Sequence, residues 1–264
     1  MRFALTFRRQ GSKRILPINY QYELSSWIYR VLGEADQEFA TWLHDQGYQF
    51  EGKQFRLFGF SNLDLRPYDR QGDRIRMKGE TARLELGFGL PNSGQHFIQG
   101  LFVEQTFGLG DQRSQVDFAV DALELLAPPS FSSQTRWRTL SPVCVSRTRE
   151  DGSIHYLHPE EEDYPARLYH NLMRKMQSYT LAQGGLALPI PPYEPRLMRF
   201  ELLSKPRSSL ITLAAHTPRE TQVRGYRYDF RLEADPSWLE FVWSVGLGEK
   251  GSMGFGFVGV DHHH

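Results

Sequence analysis

Five glycines fall within eleven residues in the stretch Gly246-Leu247-Gly248-Glu249-Lys250-Gly251-Ser252-Met253-Gly254-Phe255-Gly256. Glycine has no Cβ, so a run this dense marks a backbone that turns through positive φ and comes close to another backbone or to an anion. Gly246-x-Gly248-x-x-Gly251 also spells the dinucleotide-binding fingerprint. That fingerprint works only between a strand and a following helix, with an acidic residue about twenty positions further on. Here a helical segment, Asp235 to Val245, precedes the glycines and a short strand-like Phe255 to Val260 follows them. A βαβ unit has no room to form, the nucleotide-cofactor reading fails on context, and no cofactor is expected.

The 264 residues carry 31 basic and 31 acidic side chains, so no net charge marks the chain as a nucleic-acid binder. The placement of the charges is more telling than the total. Basic residues cluster at Arg8, Arg9, Lys13 and Arg14, at Arg66, Arg70, Arg74, Arg76 and Lys78, and at Arg196, Arg199, Lys205 and Arg207, while acids gather at Glu160-Glu161-Glu162-Asp163. Such clusters permit RNA binding and equally describe solvated faces. No run of about eighteen apolar residues is present, so no membrane span is expected. The lone Cys144 excludes an internal disulfide and reads as a buried thiol of a reducing, cytoplasmic protein. His262 to His264 read as the remnant of an expression tag.

Periodicity gives strand, helix, strands, helix, strand twice over. In the first half, Arg2 to Arg9 alternates as a strand, Asn19 to Leu32 is a helix with Asn19 as its cap, and Ala35 to Asp45 is a second helix. Phe55–Ser61, Arg74–Lys78 and Ala82–Phe88 read as strands, Ser93 to Phe107 as a helix capped by Asn92 or Ser93, and Gln115–Leu126 as a strand with an irregular middle. The Pro- and Ser-rich 128–135 is the linker. In the second half Trp137–Arg147 is a strand and Glu160–Leu181 a long helix. Leu197–Ser204, Leu210–Ala214 and Arg224–Leu232 are strands, Asp235–Val245 is a helix with Pro236 in its first turn, and Phe255–Val260 closes. The expectation is an α+β chain of two tandem ferredoxin-like βαββαβ domains, 1–127 and 136–261.

The glycine stretch closely resembles the loop of the CRISPR-associated endoribonucleases of the RAMP superfamily, which runs Gly-apolar-Gly, a short spacer, then Gly-Phe-Gly. Four more segments agree in order: Leu16-Pro17-Ile18-Asn19-Tyr20-Gln21-Tyr22-Glu23-Leu24, Leu43-His44-Asp45, Leu57-Phe58-Gly59-Phe60-Ser61, and Leu140-Ser141-Pro142-Val143. The resemblance implies a metal-independent endoribonuclease acting within the repeats of precursor CRISPR RNA. The ribose 2′-hydroxyl would attack the adjacent phosphate, leaving a 2′,3′-cyclic phosphate and a 5′-hydroxyl. A non-cutting repeat-RNA-binding subunit of the same fold is the alternative, which the presence of His44 disfavours, and a homodimer or contact with other subunits of a CRISPR effector complex is left open.

Such a reaction needs a base, an acid and a cation on the phosphate. The resemblance places the catalytic histidine at His44 and a tyrosine beside it at Tyr29, suited to orienting the ribose. The family's cation is a lysine just before the Leu-Phe motif. This chain has Arg56 there and Lys53 three positions earlier, so the role falls to one of the two; Arg56 is taken as catalytic and Lys53 as RNA-binding. Gly246, Gly248, Gly251, Gly254 and Gly256, with Lys250 and Ser252, are the candidate RNA-binding loop, acting through backbone N–H groups and one point charge. His155 and His158 have a spacing compatible with metal but no companion ligands, and no metal site is expected. His96, His170 and His216 read as surface or packing residues.

Overall fold

The computed structural model describes residues 1–215 and 217–261; His216 and the three terminal histidines lie outside them. Two antiparallel sheets organise the chain. The first is built from β1 (Arg2–Gln10), β2 (Phe58–Phe60), β3 (Thr81–Phe88), β4 (Thr106–Gly110) and β5 (Gln115–Leu126), in the order β2-β3-β1-β5-β4. The second contains β6 (Gln134–Thr139), β7 (Arg199–Leu202), β8 (Asp229–Glu233) and β9 (Val258–Val260), in the order β7-β8-β6-β9. With β4 set aside as an extra edge strand, both sheets place their core strands second, third, first, fourth. That is the arrangement of a βαββαβ unit, and the chain is two tandem ferredoxin-like domains. Each also carries a hairpin between its second and third core strands, Tyr68–Gln71 with Arg74–Met77 in one and Arg207–Leu213 with Thr221–Arg227 in the other.

Helices α1 (Gln21–Ala35), α2 (Gln37–Asp45) and α3 (Pro91–Val103) belong to the first domain, α4 (Tyr164–Ala182) and α5 (Pro236–Val245) to the second. Leu24, Ile28, Val31 and Leu32 form the predicted apolar stripe of α1 and are fully buried with Trp27 in the first core. α1 and α3 cross at Gly100, where a Cβ would sit 1.7 Å from the carbonyl oxygen of Val31. The second core holds Leu168 and Leu172 of α4 and Leu239 and Val242 of α5 against Trp137 and Phe230.

Several local expectations are corrected. Asn19 does not cap α1; Tyr20 occupies the cap position without a side-chain bond, and its hydroxyl instead accepts from the Leu63 amide at 2.9 Å. Asp36 caps α2, accepting from the Phe39 amide at 2.8 Å. Neither Asn92 nor Ser93 caps α3, which begins at Pro91, and the expected helix through Phe107 stops at Val103. The alternating burial of Thr106–Gly110 makes that segment β4. The expected Trp137–Arg147 strand ends at Thr139, where Leu140 and Ser141 turn their amides to the Phe257 carbonyl at 2.8 and 3.0 Å. Phe55–Ser61 is interrupted at Arg56-Leu57, and Arg224–Leu232 breaks at Tyr228 where the chain leaves its hairpin for the sheet. The irregular middle of β5 is a bulge: Thr6 pairs with Ala122 and Phe7 with Val120, leaving Asp121 extra. Phe131 of the linker segment stacks on Trp137 at 5.7 Å.

The domains are clamped by Arg2. Its guanidinium is 2% exposed, donates to the carbonyls of Trp243 and Val258 at 2.8 Å each, pairs with Glu85 at 2.7 Å, and lies over the Trp243 and Phe257 rings. Beside it the C-terminal end of α5 rests directly on β3, because Gly87 has no Cβ to strike the Ser244 carbonyl.

Candidate functional site

A cleft of about 830 Å³ opens between the domains, and residues from both line it. His44 reaches it from the end of α2. The helix stops there because Gly47 takes φ 61°, and its amide returns to the Trp42 carbonyl at 2.9 Å. A side chain at Gly47 would strike the Phe55 carbonyl, so this glycine also seats the helix end against the segment carrying Arg56. The His44 imidazole is 61% exposed and its Nδ1 meets Asp45 Oδ1 at 2.7 Å, which leaves Nε2 towards solvent and any ligand.

Tyr29 projects from α1 to the same place. Its ring meets the His44 imidazole edge-on at 5.1 Å and the Phe58 ring at 5.4 Å. Burial pushes the phenol above its ordinary value, and the neighbouring Arg56 guanidinium and Ser252 hydroxyl offset this only partly. Arg56 donates to the His44 carbonyl, one of the carbonyls a helix end leaves unpaired, and at 3.3 Å to Gln54 Oε1. Leu57 follows at φ 50°, a left-handed position that is uncommon for a branched side chain and that breaks the expected strand. Tyr29, His44, Arg56 and Lys53 all line the cleft.

The glycine loop divides into a frame and a tip. Gly246, Gly248, Gly254 and Gly256 take φ values of 76°, 68°, 81° and 73°. A Cβ on Gly246 would meet the Gly256 carbonyl at 2.3 Å, one on Gly248 the Cys144 carbonyl at 2.4 Å, and one on Gly256 the Leu247 carbonyl at 1.8 Å. The frame amides are committed inside the protein: Gly246 to Val242, Gly256 to Pro142 and Leu247 to Gly256, each at 2.8 Å. None of the four frame glycines lines the cleft, whereas the tip residues Lys250, Gly251 and Ser252 do. Ser25 Oγ of α1 ties the tip down through the Ser252 carbonyl at 2.7 Å. Lys250 itself takes φ 59°, presenting its side chain from a left-handed corner.

Three further groups of the cleft escape sequence reasoning. Glu249 accepts from the Ser146 amide and hydroxyl at 3.0 and 2.7 Å. Lys175 and Asn171 come from α4, one turn apart. Lys175 is 7% exposed, and burial lowers its pKa to about 8 with Glu249 opposing. A lysine in mid-helix reads as solvent-facing, but Leu168, Leu172 and Lys175 share one stripe, which is the signal that could have found it.

Several of the remaining candidates are occupied elsewhere. Arg8 pairs with Asp121 at 3.0 Å, Arg9 and Arg14 with Glu80, Arg74 with Asp111 at 2.7 Å and Lys78 with Asp69 at 2.7 Å. Among the described residues no ion pair engages Lys53, Arg56, Lys175 or Lys250, so cationic charge is left open in the cleft. His155 pairs with Glu161 at 3.0 Å, His158 packs edge-on against Tyr226, His96 against Phe39, and His170 Nδ1 meets the Ala166 carbonyl at 2.7 Å. Cys144 is buried, and burial raises its thiol far above the ordinary range.

The family described as "CRISPR associated protein Cas6, C-terminal" matches residues 126–260, just over half of the chain. The chain belongs to the Cas6 family. Among curated relatives, a CRISPR-associated endoribonuclease Cas6 of Pyrococcus furiosus is 24% identical, over 99% of this chain and 90% of the relative. A CRISPR-associated endoribonuclease Cas6 1 of Methanocaldococcus jannaschii is 25% identical, over 92% of this chain and 87% of the relative. The solved structure of a Cas6-related gene product from Pyrococcus furiosus superposes with a TM-score of 0.81 at 22% identity, covering 100% of this chain and 99% of that one. The similarity to Cas6 relatives thus extends along both halves, and the fold of the solved relative spans both domains.

Proposed function

We propose that this Cas6 chain is an endoribonuclease that cuts precursor CRISPR RNA within its repeats, without a metal ion, by attack of the ribose 2′-hydroxyl on the adjacent phosphate. The observation that carries the reading is the convergence of Tyr29, His44 and Arg56 in one cleft beside the tip of the glycine loop. His44 is the proton carrier, with Asp45 holding Nδ1 and leaving Nε2 for the reacting oxygens. Tyr29, whose neutral phenol burial favours further, donates a hydrogen bond that orients the ribose. Arg56 stabilises the extra charge on the phosphate in the transition state through its two-pronged guanidinium. Lys53, Lys250, Gly251 and Ser252 hold flanking RNA. The names of the two curated relatives support the substrate class.

Both domains, 1–127 and 136–261, contribute walls, so the protein works as a two-domain unit in the cytoplasm, where the precursor RNA is found. Incubation with repeat RNA in EDTA tests the reading. The expected result is a product ending in a 2′,3′-cyclic phosphate paired with a fragment bearing a 5′-hydroxyl. Tight binding of the repeat with no cleavage over hours would instead identify a repeat-RNA-binding subunit, and cleavage that stops on adding EDTA would overturn the metal-free route.

A further inference from the structure

Lys175 stands on the apolar stripe of α4, three and seven residues after Leu172 and Leu168, in a position a helix normally gives to a core residue. Burying an ammonium is costly unless something pairs with it. Among the described residues no hydrogen bond or ion pair engages its Nζ, and the carboxylate that acts on it from a distance, Glu249, is already bound to Ser146. One turn earlier on the same face, the side-chain carbonyl of Asn171 is buried with no hydrogen-bond partner. Both residues line the cleft that holds Tyr29, His44 and Arg56. A cation lacking an anion and an acceptor lacking a donor, one turn apart, are left open on one wall.

Resting on the ribonuclease reading of this cleft, we propose that Lys175 and Asn171 form an RNA subsite in the second domain. Lys175 takes a backbone phosphate flanking the cleaved bond, and Asn171 accepts from the 2′-hydroxyl or a base N–H of the same nucleotide unit. A phosphate with a neighbouring donor satisfies both open groups at once, which a simple anion does not. The subsite also explains why the cleft spans two domains. Chemistry comes from α1, α2 and the segment around Arg56, while α4 fixes the strand across it. The other titratable groups of the cleft are Tyr22, Tyr29, His44, Lys53, Arg56, Glu249 and Lys250.

The test uses the full chain in a His44→Ala background and single-stranded repeat RNA, with affinity measured across a salt series. Lys175→Met should bind about tenfold more weakly at low salt, the scale of one lost charged hydrogen bond. The slope of log affinity against log salt should flatten by about 0.7, as for one phosphate on a single strand. Asn171→Leu should weaken binding several-fold with the slope unchanged. Removing an unpaired buried charge should also raise the melting temperature of Lys175→Met at pH 7. That gain should shrink as pH rises through about 8, where the wild-type ammonium loses its proton. A purely structural lysine would instead lower the melting temperature and leave affinity alone, and that result overturns the subsite; should Lys175→Met not fold, Lys175→Gln takes its place in the same binding test. Normal cleavage by wild type with Lys175-independent affinity and salt slope sinks the subsite while the ribonuclease reading stands. Lys175-dependent binding without cleavage does the reverse, and a wild type that does not bind repeat RNA overturns both.

Discussion

The imidazole of His44 meets the ring of Tyr29 edge-on, with centroids 5.1 Å apart and planes at 81°. The two side chains arrive from different helices, and the Phe58 ring backs Tyr29 at 5.4 Å. The tyrosine is therefore a fixed wall against which an otherwise exposed histidine is oriented. On the proposed reading, fixing the proton carrier in this way would lower the entropy cost of reaching the reactive geometry.

His44→Ala should lower the single-turnover cleavage rate by about a hundredfold or more, the scale of lost acid–base catalysis. Its affinity for repeat RNA should stay within a few fold of wild type, because Lys53, Arg56 and Lys250 remain in the cleft to hold the phosphates. Wild-type cleavage rates in this variant would remove His44 from the mechanism.

Tyr29 separates orientation from proton transfer. Burial raises its phenol above the ordinary value of 10.0, so it stays protonated up to and beyond neutral pH and contributes no titration there. Tyr29→Phe should then cost less than about tenfold in rate, one neutral hydrogen bond, and keep the shape of the pH–rate profile between pH 6 and 9. Tyr29→Ala should cost more, since the wall itself is lost. A profile whose alkaline limb disappears in Tyr29→Phe would show that the phenol does transfer the proton.

The two-domain frame is readable in the sequence because each βαββαβ unit keeps a period of two in a central strand, β1 in the first and β8 in the second, and a period of 3.6 in its helices α1, α4 and α5. Legibility falls wherever a tertiary contact overrides the local pattern. The break at Arg56-Leu57 depends on a positive φ at a leucine, for which no residue-type signal exists. β4 merges with the preceding helix in the sequence pattern because Phe102, Val103 and Phe107 continue an apolar period. In the site, His44, Tyr29 and Arg56 are reached through motifs that the family resemblance supplies. Lys175 and Asn171 belong to no motif, and their position in the cleft emerges only when α4 is packed beside the first domain. The glycine loop is legible as a tight turn, but which amides it spends internally cannot be read from glycine spacing.

Those internal contacts give a stability prediction. Gly256 combines φ 73° with a Cβ position 1.8 Å from the Leu247 carbonyl, whereas Gly152 has φ 80° and open space around it. Gly256→Ala should destabilise by about 2–5 kcal/mol, left-handed strain plus overpacking. Gly152→Ala should cost only the strain, about 1–2 kcal/mol. Equal midpoints for the two variants in urea unfolding would mean that the loop relaxes away from the close approach to Leu247 without penalty.

Arg2 provides a separate test of the domain clamp. Arg2→Met keeps much of the packing on Trp243 and Phe257 but leaves the Trp243 and Val258 carbonyls without their donor. The expected loss is about 2–5 kcal/mol, the range for unpaired buried polar groups and broken buried pairs. If the clamp joins the domains, urea unfolding of the variant should also lose its single transition. A single, unshifted transition would show that the guanidinium contributes no net coupling.

The cation of the reaction can be assigned by comparing Arg56 with Lys53. Arg56 is held beside the candidate centre by the His44 carbonyl and Gln54, and it acts on Tyr29; Lys53 sits on an exposed hairpin strand at the cleft margin. A charge that matters most in the transition state changes the rate at saturating RNA, whereas one that only holds the backbone changes affinity. Arg56→Ala should therefore slow single-turnover cleavage at saturation, and Arg56→Lys should retain much of the rate, since the charge survives although the two-pronged geometry is lost. Lys53→Ala should act on affinity, with an effect that shrinks as salt rises. A full cleavage rate in Arg56→Ala beside a slow Lys53→Ala would transfer the catalytic role to the lysine, and the hairpin Tyr48–Phe50 with Lys53–Phe55 would then have to close over the bound RNA to bring it there.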